Sequence, residues 1–217
     1  MLIHYDPPTN PYLEIVYQDD QLLVLNKPSG LLTVPGKAAE HQDCLERRVQ
    51  RVFPTARIVH RLDMATSGLV VMALSADSQR HLNRQFELRQ TKKHYMARLE
   101  GLLPVSQGSV QLPLICDWPN RPKQMVCFQR GKPALTHFSL LSVDNNSSRV
   151  RLTPVTGRSH QLRVHMQWLG HPILGDKFYA TAAGLAAASR LQLHAEYLAL
   201  SHPLSQQWLE FTAPSPF

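Results

Sequence analysis

The chain has 217 residues, 43% of them hydrophobic and 18% charged, with a formal net charge of +7. That length suits one domain or a closely joined pair of lobes able to bury roughly 70% of the unfolded surface. The composition excludes a disordered chain, the lack of any apolar run near the ~20 residues a bilayer needs excludes a membrane-spanning helix, and the surplus of cations directs attention to a polyanionic partner, nucleic acid first.

Met1–Pro8 show no basic start followed by an apolar stretch, so the sequence predicts no secretory leader and a cytoplasmic protein. Residues 1–12 are proline-rich and expected to be extended, ahead of a single domain over 13–217. Leu13–Tyr17 and Leu22–Leu25 read as strands around an Asp19-Asp20-Gln21 turn. Asp43, three residues before Glu46, has capping-box spacing and predicts a helix over about 44–53, with Leu45 and Val49 inward. Arg57–Val59 and Leu69–Leu74 read as two buried strands. Ser75 caps a helix over 76–89 whose inner face carries Leu82 and Phe86.

Lys92–Gly101 reads as a strand, and 102–133, rich in proline, as mostly loop. Strands follow over 134–143 and 148–153, and Ser159 is placed to cap a helix ending near Gly170. On that helix Leu162, Met166 and Leu169 form an apolar stripe, with Arg163 displaced to one side and able to reach out of the core. An alanine-rich helix over 181–190, a strand over 191–197 and a last strand over Trp208–Phe211 complete a mixed α+β domain.

Between the two central strands lies His60-Arg61-Leu62-Asp63-Met64-Ala65-Thr66-Ser67-Gly68. One carboxylate on a connection held by rigid strands suits an active-site loop, although Asp before Thr-Ser-Gly also commonly caps a turn. Three further segments decide between these: Asn26-Lys27-Pro28-Ser29-Gly30-Leu31, Lys92-Lys93-His94-Tyr95-Met96-Ala97 and Gly157-Arg158-Ser159-His160-Gln161-Leu162-Arg163-Val164-His165. In this order the four resemble the RluA family of pseudouridine synthases.

The resemblance implies the fold of that family, a mixed, largely antiparallel central sheet flanked by helices and loops with a central RNA-binding cleft. It implies a cofactor-free, metal-free isomerisation in which the bond from uracil N1 to ribose C1′ breaks, the base turns, and C5 joins C1′. Asp63 matches the family's catalytic aspartate, Arg163 the arginine paired with it, and Tyr95 the tyrosine that stacks on the uracil ring. Leu162 and Leu174 match apolar walls of the pocket, and Asp176 a supporting acid. Arg61, beside Asp63 on an extended segment, points to the opposite face and is better used on RNA.

Pulling a uridine out of its stack costs a few kcal/mol and needs groups to fill the gap, for which His60 and Arg61 are the candidates. RNA contacts are expected from Arg47, Arg48 and Arg51 on one helix, from Lys92 and Lys93, and from the loop with Trp118, Arg121 and Lys123, where cations and a ring suit splayed bases. The early Asn26–Gly30 motif leaves no room for an N-terminal S4-type module, which matches the short branch of the family. That branch modifies a 23S rRNA hairpin loop and the anticodon stem-loop of certain tRNAs, and the expectation is a monomer acting on these RNAs without an obligatory protein partner.

Two rivals are weighed. An inactive RNA-binding protein of the same fold would not need Asp63, Tyr95 and Arg163 together. A metal-dependent nuclease or deaminase needs ligand spacings that are absent, since Cys44, Cys116 and Cys127 form no Cys-x-x-Cys pair and no His-Glu-x-x-His occurs.

Overall fold

The computed structural model describes residues 5–217; the opening of the proline-rich segment, Met1–His4, lies outside them, and with it part of the reading of Met1–Pro8. The chain divides into two compact units, one comprising the residues up to Lys93 with Ala195–Pro216, the other His94–His194 with Phe217.

In the first unit β1 (Ile15–Gln18) and β2 (Leu22–Lys27) pair antiparallel. They turn about Asp19, whose carboxylate accepts the amides of Gln21 and Leu22 at 2.7 and 2.9 Å, the local bonding that makes aspartate a turn residue. β2 pairs antiparallel with β4 (Ser67–Ala73) from Leu22 opposite Ala73 to Lys27 opposite Gly68. β11 (Leu193–Ser201) follows β4 in the sheet and pairs with β12 (Trp208–Thr212). Every second residue, Leu22, Val24, Leu69, Val71, Leu198 and Leu200, enters one core with Phe211 and with Leu82 of α2 (Ala76–Glu87). Leu23, Leu25, Val70 and Met72 between them are buried too, so both faces of β2 and β4 are covered. Ser75 caps α2 as expected, its Oγ accepting the Ser78 amide at 3.1 Å.

Two expectations change here. β3 (Arg57–Ile58) is only two residues long and not buried, with Arg57 exposed and Ile58 half-buried against the end of β4. α1 (Leu45–Gln50) is shorter than 44–53, and Cys44 rather than Asp43 is its N-cap, the thiol sulfur accepting the Arg47 amide. Asp43 is drawn away by Arg48, whose Nε and Nη2 donate to both carboxylate oxygens at 2.8 and 2.7 Å.

In the second unit β5 (Lys92–Glu100), β10 (Ser147–Pro154), β9 (Leu135–Asp144) and β6 (Gln107–Gln111) lie in that order, each antiparallel to the next. A separate hairpin joins β7 (Leu114–Cys116) to β8 (Gln124–Val126). The segment read as loop over 102–133 thus holds three strands. β6 escapes the pattern because Gln107-Gly108-Ser109-Val110-Gln111 has one apolar residue, and β7 and β8 because three residues carry no period.

α3 (Gln161–Trp168) packs Val164 into a cluster with Leu114, Ala134 and Tyr179. Ser159 does not cap it; His160 is the N-cap, at φ 52°, and Gln161 Oε1 accepts from the Arg158 amide and the Thr156 hydroxyl. The alanine-rich segment contributes only α4 (Ala182–Ala186), since the Gly184 carbonyl accepts the Gly175 amide at 2.9 Å where a continuing helix would offer Ala188.

Candidate active site

Asp63 sits half-buried between β3 and β4, on a loop secured from outside its own strands. The Thr33 hydroxyl donates to the Leu62 carbonyl at 2.8 Å and accepts the Leu62 amide at 3.2 Å. Ser29 Oγ donates to Ala65 O at 2.7 Å, and the Gly30 amide donates to Met64 O at 2.8 Å. Beneath them the ammonium of Lys27, fully buried, donates to the carbonyls of Pro28, Leu31 and Met64 at 2.8, 2.7 and 3.1 Å. An ammonium has three N–H donors, and each meets an oxygen here, which is what makes a buried cation tolerable. The main chain on both sides of Asp63 is therefore anchored to the Asn26–Leu31 motif and Thr33. Sequence reasoning quoted that motif but gave Lys27, Ser29 and Thr33 no role; the signal was a lysine two residues after the apolar run Leu22–Leu25.

The loop ends at Gly68, at φ 112°, where a Cβ would collide with the backbone of Ala195. No other residue fits there.

Arg61 is exposed on this loop, while the neighbouring His60 is engaged. His60 Nε2 accepts the Val71 amide at 3.0 Å and its ring stacks on Phe86 at 4.7 Å between centroids. Burial, reinforced by the Lys93 charge, holds the imidazole far below its ordinary range, at about 3, so it is neutral at physiological pH. Of the two residues expected to fill the gap left by an extruded base, His60 is occupied in fastening β4 to α2. Lys93 is half-buried with its ammonium 5.5 Å from the Phe86 ring, and burial lowers its pKa; Lys92 is exposed, its ammonium 5.6 Å from the Trp208 ring.

Arg48 is a correction. Expected on RNA, it is wholly buried, paired with Asp43 and donating to the carbonyls of Pro8 and Tyr12. The pairing holds the Asp43 carboxyl below the usual carboxylate range. The reason is angular: Arg48 follows Leu45 by three residues on α1 and shares its inward face. Arg47 and Arg51 stay on the outer side, lining a groove of about 500 Å³ with Gln42 and Gln50.

In the second unit Tyr95 lies half-buried in β5, opposite Leu152 of β10. Arg163, expected to reach out of the core, is 3% exposed and makes a two-pronged ion pair with Asp176, Nε and Nη2 donating at 2.7 Å each. Asp176, expected as support, also accepts the Phe178 amide at 2.9 Å. The rings of Phe178 and Tyr179 stand 5.3 and 5.1 Å from the guanidinium carbon. Leu162 and Leu174 are each 6% exposed. His165 bridges α3 to its neighbours, its nitrogens 2.9 Å from Thr136 Oγ1 and 3.2 Å from Leu112 O, and burial lowers its pKa.

Tyr179 links this ion pair to the β7–β8 hairpin. Its hydroxyl accepts the Gln124 amide at 2.8 Å and lies 2.7 Å from His160 Nδ1. Beyond Gln124 the tip of the hairpin carries Trp118 and Arg121, both exposed, the guanidinium carbon 4.4 Å above the indole, with Lys123 half-buried behind them. Among the described residues no group of three or more His, Cys, Asp or Glu side chains is placed to hold a metal ion, and no helix is long and apolar enough to cross a membrane.

Comparison with known proteins identifies the family. A family model described as RNA pseudouridylate synthase matches residues 21–168, a span containing the Asp63 loop and its anchors, Tyr95 and Arg163. The chain is 57% identical to the dual-specificity RNA pseudouridine synthase RluA of Pasteurella multocida, over 100% of this chain and 99% of that one. It is 55% identical to that of Escherichia coli K12, over 99% and 98%. Among solved structures it resembles human RNA pseudouridylate synthase domain containing 1, with a TM-score of 0.80 and 31% identity over 98% of this chain and 87% of that one. A family match over most of the chain and identity above half from end to end leave one conclusion: the chain belongs to the RNA pseudouridylate synthase family.

Proposed function

We propose that this protein isomerises uridine to pseudouridine in structured RNA with Asp63 as the reacting carboxylate. The two bacterial relatives named above are dual-specificity RNA pseudouridine synthases, and the proposed substrates here are the anticodon stem-loop of tRNAs and a hairpin loop of 23S rRNA. The protein acts as a monomer in the cytoplasm, without a cofactor. The observation that carries the reading is the anchoring of Leu62, Met64 and Ala65 around Asp63 by Thr33, Lys27, Gly30 and Ser29. A nucleophile must be held within a fraction of an ångström of its target, and misplacement by about 1 Å can cost about 100-fold in rate.

The reaction moves one bond and adds no atom. The N1–C1′ bond breaks while the Asp63 carboxylate attacks C1′ or stabilises the cationic sugar, the detached uracil turns, and C5 bonds to C1′, breaking any C1′–O bond to Asp63 and releasing the free carboxylate. The proton on C5 is then lost and N1 regains one, so the product is an isomer of the substrate. Tyr95 stacks on the turning base and assists removal of the C5 proton. Arg163, held by its two-pronged bond to Asp176, supplies positive charge to balance the Asp63 carboxylate. Because Asp176 already neutralises much of that charge, its chief duty is to fix the direction of the guanidinium. Arg61 fills the space left by the extruded uridine, and Lys92, Lys93, Trp118, Arg121 and Lys123 hold the surrounding RNA.

Asp63→Asn tests the reading. The amide keeps the shape and removes the nucleophile, so pseudouridine formation in an anticodon stem-loop should fall below detection while the Kd for that RNA changes less than about threefold. Turnover by the Asn variant would overturn the assignment. Mapping pseudouridine in cellular RNA with and without the gene tests the two substrates.

A further inference from the structure

Phe128 and Trp168 are large aromatic side chains that no step above uses. They are 66% and 57% exposed, and their rings meet edge to face at 6.4 Å. Their supports are rigid. Phe128 stands on the tight turn after β8, closed by Gly131 N donating to Cys127 O at 2.8 Å, and both ends of that turn bond to β7 and the residue before it, Lys132 N to Leu114 O and Cys127 N to Pro113 O. Trp168 is the last residue of α3, about 7.5 Å along the axis from Arg163.

We propose that Phe128 and Trp168 form a stacking step for an unpaired RNA base outside the extruded uridine, a contact separate from the Trp118–Arg121 tip. The inference rests on the RNA-modifying function proposed above. Charge around the step selects the occupant. Arg130 lies in the turn itself, Lys132 follows it, and Arg158 is moored beside it through its Nε bond to Pro133 O at 3.2 Å. From Trp118 to Val143 the sequence contains no acidic residue, so nothing in the segment repels phosphate. Size points the same way. Two such rings cover at most about 300–500 Å², short of the ~800 Å² per partner of a stable protein interface yet ample for one base. Rings interleaved with cations are the arrangement that grips single-stranded RNA irrespective of sequence.

The test is binding of a labelled anticodon stem-loop, in the Asp63→Asn background so that no turnover occurs. Phe128→Ala and Trp168→Ala should each raise Kd at least about fivefold, Phe128→Tyr should retain wild-type affinity, and the slope of log Kd against log salt should stay the same, because stacking releases no counterions. Arg130→Gln, by contrast, should lower that slope by about 0.7. In a Trp118→Phe/Trp208→Phe variant, which leaves Trp168 as the single tryptophan, saturating RNA should quench the emission. Unchanged Kd for both alanine variants and no quenching would overturn the stacking step, and so would a change in sedimentation without a change in Kd, which would assign the patch to a protein contact. Either result leaves the function standing if the parent enzyme forms pseudouridine; a parent that forms none would remove the function itself.

Discussion

Lys27 is the residue on which the Asp63 loop depends most. Its ammonium is the common donor to carbonyls from two separated segments, Pro28 and Leu31 on one side and Met64 on the other. Replacing it by Met keeps the apolar stem and leaves those oxygens without their cation, at roughly 1–3 kcal/mol for each one that water cannot reach. Urea unfolding of Lys27→Met should therefore show a loss of at least about 2 kcal/mol, with a fall in kcat beyond what the unfolded fraction explains. An unchanged midpoint would mean the loop holds itself.

His60 makes stability depend on pH in a defined direction. Its folded pKa, about 3, lies below the ordinary value of 6.5, so the unfolded chain takes up a proton that the folded chain refuses. Stability is then fully present above about pH 6.5 and declines as pH falls toward 3, by up to about 1.4 kcal/mol per unit from this one group. Substituting His60 by Phe should flatten the stability curve between pH 6 and 4 relative to wild type, as read by denaturant titrations at a series of pH values. The contrast with Arg48 is instructive at the same scale. Both are polar residues within basic, functional-looking stretches, and burial turns both into parts of the scaffold.

At the scale of elements, β4 carries the Asp63 loop at one end and is buried along its whole length. Its first turn tolerates no side chain at Gly68, so Gly68→Ala meets a positive φ and the Ala195 backbone together. Either fault alone costs about 1 kcal/mol or more; the melting temperature should drop by several degrees, and a drop within error would show that the strand can shift. α2 was legible in detail because its cap is local, Ser75 bonding three residues ahead, and its inner face repeats at helical spacing. α3 was legible in extent but not in its cap, since His160 takes a left-handed conformation that Ser159 would have been the simpler choice to avoid. The polar β6 and the three-residue β7 and β8 left no periodic trace, and only pairing with neighbours makes them strands.

Over the whole molecule the net charge of +7 predicts an RNA affinity that weakens steeply with salt, with a log–log slope of about −0.7 for each single-strand phosphate neutralised. Binding isotherms between low and physiological salt would measure it, and a flat response would dismiss the basic side chains as RNA contacts. The sequence by itself determined the α+β class, the long strands and α2, and the family, and it singled out Asp63 as the candidate reacting carboxylate, because hydrophobic period, turn chemistry and ordered motifs are local or additive along the chain. Only the tertiary structure decided that Arg163 pairs with Asp176 thirteen residues away, that Arg48 and His60 face inward, and that Lys27 and Thr33 grip a loop some thirty residues further on. Those bonds depend on which surfaces meet after folding, and burial, which fixes both the partner and the charge state of a polar group, is a property of the packed molecule.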